Sequence, residues 1–262
     1  MTVIMLAPNG GRRMPSEHPA IPVTMDQTIA CAVAGRDAGA DAIHVHLRDG
    51  DGGHLLDSGA YRALIDGIAD AAPDISVQIT TEAIGCYDAS QQMQIVREAR
   101  PDFASCALRE LADAPGATAF YHDMHAAGIG IQHILYDPAE VAHLTSLVRS
   151  GAIPARGLSV IFVVGSYPDG GGAHPDKLAD FVSAIRPLAP QWMACGFGAN
   201  ETRVLGAAMA MGGHARVGFE NSLQMADGRI ARDNSDRVTE IAILRQSLGL
   251  SPGDVGRVLG RP

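Results

Sequence analysis

The 262-residue sequence predicts a (β/α)8 barrel of the TIM type. Short apolar runs rich in β-branched residues alternate with amphipathic stretches of helix length. The alternation repeats eight times, and no long linker or shift of composition interrupts it. The length matches the roughly 250 residues usual for such a barrel. A doubly wound open sheet is the competing architecture. It uses fewer units at this length, and no G-x-G-x-x-G follows the first strand.

Taken in order, the first strand is read at 3–6 and the first helix at 26–38. The second strand, 42–47, ends in a run of polar residues, and a helix follows at 58–71. The third strand is 76–80, and its helix, 89–99, has Asp88 as N-cap. The fourth strand is 103–107, with a helix at 117–127 that stops at Gly128. The fifth strand, 130–135, precedes a helix at 138–150 with Asp137 as N-cap, Pro138 at the first helical position and Gly151 after its end. The sixth strand, 158–164, runs into the glycine-rich segment 165–172, a mobile lid, a nucleotide-approach loop or a plain flexible loop, before a helix at 176–188. The seventh strand is 192–195, with a helix at 201–211 that stops at Gly212. The eighth is 215–219, with a helix at 235–248. The tail 251–262 reads as one more short helix, so that 1–262 forms a single barrel domain.

Composition narrows the function classes. With 47% hydrophobic and 19% charged residues the chain can build a core, which excludes disorder. A formal net charge of −9 leaves no basic excess for phosphate neutralisation, so no nucleic acid is expected as partner. No apolar run approaches the ~18–20 residues that cross a bilayer, so no membrane is expected either. The start, Met-Thr-Val-Ile-Met-Leu-Ala-Pro, has no basic n-region and reads as a strand rather than a signal peptide. Cys31, Cys86, Cys106 and Cys195 form no C-x-x-C pair, as expected of thiols in a reducing cytoplasm.

In a barrel of this kind the chemistry sits where the strands end at the C-terminal face. The second strand ends His44-Val45-His46-Leu47-Arg48-Asp49. Residues two apart on a strand share a face, so both imidazoles project into the barrel mouth. The eighth strand, a neighbour of the first and close to the second, ends Arg216-Val217-Gly218-Phe219-Glu220-Asn221. Glu220 is the natural third ligand of a His2Glu site for Zn2+ or another divalent transition metal, with a position open to a substrate oxygen. An H-x-H alone is equally compatible with buried structural histidines. A Schiff-base aldolase needs a lysine at a strand end, and Lys177, the one lysine of the chain, starts the sixth helix.

Several segments together resemble one family. They are Ala7-Pro8-Asn9-Gly10, His18-Pro19-Ala20-Ile21-Pro22-Val23-Thr24 and Gly39-Ala40-Asp41-Ala42-Ile43-His44-Val45-His46-Leu47-Arg48-Asp49, then Thr80-Thr81 and Arg216-Val217-Gly218-Phe219-Glu220-Asn221. In this order they resemble the β-keto acid cleavage enzymes. That resemblance implies a zinc-dependent barrel that condenses a β-keto acid with acetyl-CoA, releases acetoacetate and leaves a CoA thioester. It implies that His44, His46 and Glu220 hold the metal, that Arg216 lies near the reacting carbonyl and carboxylate, and that Thr80 anchors the substrate carboxylate. A homodimer or homotetramer is compatible with it.

Three departures from the family pattern stand out. Asn221 replaces an aspartate and cannot act as a base, Asn9-Gly10-Gly11-Arg12-Arg13 offers no acidic residue after the first strand, and Glu82 stands where glycine is usual. Glu82 is therefore read as a proton-transfer or substrate-orienting group paired with Arg12 or Arg13, or else as an ion pair that positions its loop. Thr81, Ser105, Arg109, Glu110 and Asn221 are further candidates for substrate binding, Arg109 toward a second carboxylate or a CoA phosphate. A metal-dependent hydrolase and a catalytically inactive metal-binding barrel remain as alternatives.

Overall fold

The computed structural model describes residues 1–166 and 172–262. Eight parallel strands close into a barrel: Ile4–Leu6, Ala42–Val45, Ser76–Thr80, Phe103–Ala107, Gly130–Leu135, Ser159–Val164, Gln191–Gly196 and His214–Val217. Each pairs with its sequence neighbour, and the first and eighth close the ring with Ile4, Met5 and Leu6 opposite Ala215, Arg216 and Val217. The eight main helices are Met25–Asp37, Ser58–Ala71, Ala89–Ala99, Ala117–Ala126, Pro138–Arg149, Lys177–Ile185, Glu201–Ala210 and Asn234–Ser247.

Alternation along the strands separates two cores. Outward residues such as Ile4, Leu6, Ile43, Val45 and Phe162 pack beneath the helices with Leu64, Ile68, Leu144 and Phe181. Inward residues Met5, Phe103, Ile134, Ile161 and Met193 fill the barrel together with Val258 and Leu259. The last two come from the short helix Val255–Val258 and its exit. They close the end where the strands begin, with Leu259 and Gly260 lying against Gly130 and Gly157. At the opposite end the described residues surround a cavity.

The expected caps are in place. Asp88 and Gln91 form a reciprocal capping box, and the Asp137 carboxylate accepts from the Glu140 amide at 2.9 Å. Asp137→Ala should lower stability by about 1 kcal/mol. A chain of this size should then melt about 2–4 °C lower in a thermal scan.

The differences from the sequence reading lie at the barrel mouth. The second strand stops at Val45, because Leu47–Arg48 leaves the barrel to pair antiparallel with His54–Leu55. The eighth stops at Val217, where Gly218 takes φ 146°. A four-residue helix, Leu108–Leu111, follows the fourth strand directly. The sixth helix begins at Lys177 and passes into a 3-10 turn at Arg186–Leu188. The greater part of the glycine-rich segment 165–172 lies outside the described residues.

Candidate metal centre and active site

His44 sits on the second strand and His46 just past its end, where extended backbone keeps the two side chains on one face. Their Nε2 atoms approach to 3.1 Å, and each lies 3.9 Å from Glu220 Oε2. All three residues are buried, and one ligand atom from each falls within a 4.8 Å span. Burial, then the positive charge of Arg216, holds His44 well below the usual histidine range. Burial and the neighbouring imidazole do the same to His46. Both rings are therefore neutral near pH 7 and have lone pairs to offer. These three residues form a group that can hold a metal ion.

Glu220 reaches this position because its loop is tightly braced. Its amide donates to Ala7 O at 3.1 Å. The Phe219 amide donates to Asn234 Oδ1 at 2.8 Å, and Asn234 Nδ2 donates to Pro8 O at 3.0 Å, tying the ends of the first and eighth strands together. Glu201, fully buried and paired with Arg237 at 2.5 Å, accepts from the Gly218 amide at 3.4 Å. Burial pushes Glu220 up from its ordinary range, against the pull of Arg216, Arg48 and Arg13. Arg216 donates to Glu220 Oε1 at 3.2 Å. Its own burial disfavours its charge, but Glu220, Cys195 and Tyr136 together more than compensate and keep it a guanidinium.

A cavity of about 490 Å3 opens from this group, with Thr80, Glu82, Tyr136, Phe197 and Arg216 in its walls and Arg12 and Arg109 at its mouth. It has room for a small acid and for part of a second substrate. The model for β-keto acid cleavage enzymes matches residues 1–257. The chain belongs to the β-keto acid cleavage enzyme family.

Among characterised members, the chain is 25% identical to the 3-oxoadipate:acetyl-CoA acetyltransferase of Cupriavidus necator, over 99% of its own length and 95% of that protein. It is 26% identical to the 3-keto-5-aminohexanoate cleavage enzyme of Fusobacterium nucleatum, over 94% and 92% respectively. A 3,5-dioxohexanoate:acetyl-CoA acetone transferase of Paraburkholderia graminis is 24% identical, with 95% of this chain covered and 91% of that one. Among solved structures, apo ObcA superposes with a TM-score of 0.71 at 15% identity, covering 92% of this chain and 64% of that one. The 3-dehydroquinate dehydratase of Aquifex aeolicus gives 0.61 at 10% identity, over 94% and 98%. At these identities the structural likeness speaks for the barrel alone.

The cavity gathers most of the candidates and leaves some outside. Thr80 lines the cavity, and its Oγ1 accepts from the Glu82 amide at 3.0 Å. Glu82 lies 3.8 Å from His46 Nδ1 through one oxygen and 3.8 Å from Arg12 through the other. Burial and the charge of Glu220 push it up to about 7. Of the two arginines expected beside Glu82, Arg12 is the partner, whereas Arg13 pairs with Glu17 and donates to Glu220 O. Arg109 stands at the mouth, over the Tyr136 ring at 3.8 Å and paired with Glu140 at 2.5 Å.

Thr81, in contrast, does not line this cavity. Its hydroxyl donates to Ser105 O at 3.0 Å and links the third and fourth strands. Ser105 is fully buried and faces the barrel interior two residues before the cavity-lining Ala107, beneath the cavity rather than in its wall. Glu110 does reach the cavity, but its carboxylate accepts from the Ala83 amide and from Gln92. Asn221 is fully buried and borders an adjoining cavity, and among the described residues its side-chain amide has no hydrogen-bond partner.

Sequence reasoning missed four contributors. Gln78 accepts from His44 Nδ1 at 2.9 Å, and its place two residues before Thr80 was the available signal. His54 approaches His46 with ring centroids 5.2 Å apart and donates through Nε2 to Glu82 O at 2.9 Å. Tyr136 forms cavity wall just past the fifth strand. Arg48 donates to Gly10 O and to Arg13 O, and so fastens the loop after the first strand over the site.

Proposed function

We propose that this protein condenses a β-keto acid with acetyl-CoA, releasing acetoacetate and leaving the rest of the keto acid as a CoA thioester, with Zn2+ or another divalent transition metal at His44, His46 and Glu220. The reading is carried by that buried ligand group opening into the same cavity as Arg216, Thr80 and Glu82. Two neutral imidazoles and one carboxylate suit a borderline cation and leave a position for substrate. When bound there, the ion supplies Lewis-acid polarisation of the β-keto oxygen.

The side chains divide the remaining work. Arg216 presents Nε and Nη1 without hydrogen-bond partners among the described residues, so donors are available to an oxyanion that develops at the keto carbon. The Thr80 hydroxyl already accepts from Glu82 N, which leaves its proton for the substrate carboxylate. Arg109 serves a second carboxylate or a CoA phosphate at the mouth. We assign to Glu82 the proton transfers at the carbon between the keto and carboxylate groups of the β-keto acid, the carbon that joins the acetyl group and leaves in acetoacetate, because Asn221 has no basic oxygen and Glu82 is a carboxylate of the cavity wall close to His46. Thr81 supports the wall from behind, Ser105 lies in the barrel interior beneath the cavity, and Asn221 borders the adjoining cavity.

Two measurements test this. Metal analysis, followed by a panel of β-keto acids with acetyl-CoA, should yield acetoacetate that appears only when both substrates are present. Hydrolysis without CoA would mark a metal-dependent hydrolase instead, and bound metal with no turnover of any β-keto acid would mark a binding barrel. Glu82→Gln should lower kcat by about 10^2–10^4-fold with metal content unchanged. Activity near wild type would reduce Glu82 to a loop-positioning ion pair with Arg12.

Four free cysteines fit the reducing cytoplasm we assign to it. Among the described residues no helix is long and apolar enough to cross a membrane. A homodimer or homotetramer is the assembly we expect, and light scattering would read it.

A further inference from the structure

A chain of buried polar side chains crosses the apolar barrel interior from the metal ligands to the closed end. His44 Nδ1 lies 2.9 Å from Gln78 Oε1. Gln78 Nε2 donates to Gln132 Oε1 at 3.2 Å, and Gln132 Nε2 donates to Ser159 Oγ at 3.2 Å. Ser159 Oγ donates to Val258 O at 2.7 Å. Gln78, Gln132 and Ser159 are fully buried, and around them the interior is Phe103, Ile134, Ile161 and Met193.

The direction of every link is fixed from the far end. A backbone carbonyl can only accept, so the single proton of Ser159 is committed to Val258 O. Ser159 must then accept from Gln132, which turns the Gln132 carbonyl toward Gln78. Gln78 in turn offers its amide to Gln132 and its carbonyl to His44. A carbonyl facing Nδ1 demands a proton there, and Nε2 is left with its lone pair toward His46 and Glu220.

We propose that Gln78, Gln132 and Ser159 are positioning residues that set His44 in its Nδ1–H tautomer, with the orientation anchored by the Val258 carbonyl at the opposite end of the barrel. His46 has no such tether: its Nδ1 has no hydrogen-bond partner among the described residues. Of the two imidazoles, one is preset as a ligand and one is not. Partners of this kind commonly contribute 10–100-fold to metal affinity. The functional weight of the proposal rests on the metal site read above, whereas the tautomer is a property of the metal-free chain.

The test is long-range 1H–15N correlation of the histidine side chains in metal-free protein, together with Zn2+ titration against a competing chelator. Wild type should show His44 protonated at Nδ1. Gln78→Leu should abolish that preference and weaken Zn2+ binding about 10–100-fold. Gln78→Glu, which still accepts from Nδ1, should restore most of both. Ser159→Ala, remote from the metal ligands and mild for folding, should shift the His44 tautomer and weaken Zn2+ several-fold, and Ser159→Thr should recover both. A wild-type His44 protonated at Nε2, or a tautomer unmoved by both Gln78→Leu and Ser159→Ala, overturns the proposal. Failure of wild type to bind Zn2+ overturns the metal site instead, and the tautomer measurement still decides the relay.

Discussion

His46→Ala is expected to empty the metal site and to lower kcat/KM by about 10^3-fold or more, the equivalent of several kcal/mol of lost Lewis-acid stabilisation. Three protein ligands is the minimum usual for a catalytic site of this type, and two do not hold a borderline cation against water. The side chain is buried against His44, His54 and Glu220, so its removal leaves a polar hole rather than an alternative donor. Metal content, circular dichroism and turnover of the same preparation are the three measurements needed. A folded variant that keeps its metal and acts within tenfold of wild type would remove His46 from the ligand set.

The second large effect is structural and arises two residues before Glu220. Gly218→Ala places a Cβ 2.3 Å from Ala7 O, a backbone atom held within the seam between the first and eighth strands. The backbone there has φ 146°, which side chains rarely adopt. Because Ala7 O also accepts the Glu220 amide, relief of the clash must displace the loop that carries the ligand. We expect a loss of about 4 kcal/mol or more, or no soluble protein, because backbone strain and overpacking add. Gly212→Ala is the control: φ is +87° and nothing lies within 4 Å of the added atom, so only the conformational cost of about 1–2 kcal/mol applies. Urea melts of the two variants separate overlap from strain, and equal losses would mean that Ala7 yields easily.

The barrel was legible because its signal is repeated. Apolar runs such as 103–107 and 130–135 are buried on both faces, so their hydrophobicity is continuous and their limits fall at polar residues. The grouping of His44, His46 and Glu220 was legible for a related reason: a strand puts alternate residues on one face, and the barrel brings the end of the eighth strand near the second. What escaped is what short-range pattern cannot encode. His54 becomes a neighbour of His46 only because Leu47–Arg48 folds back on His54–Leu55, a two-residue pairing without periodicity. Thr81 was placed beside Thr80 in the site, yet adjacent residues on extended backbone face opposite ways, and its hydroxyl serves Ser105 O. The same alternation should have flagged Gln78, whose polar side chain can enter an apolar interior only with partners waiting for it.

The two ends of the ligand set come from opposite ends of the sequence. His44 lies on the second strand, His46 just past its end and Glu220 past the eighth, on either side of the seam where the ring closes with three residues from each strand. A half-built barrel therefore carries no complete site, and an ion captured there reports that the last strand has docked against the first. With the ion held at the proposed site only in the closed ring, free metal should draw the population toward closure by RT ln(1 + [M]/Kd). In refolding, ion uptake should lag behind secondary structure and coincide with the slow, long-range step that joins the chain's distant ends.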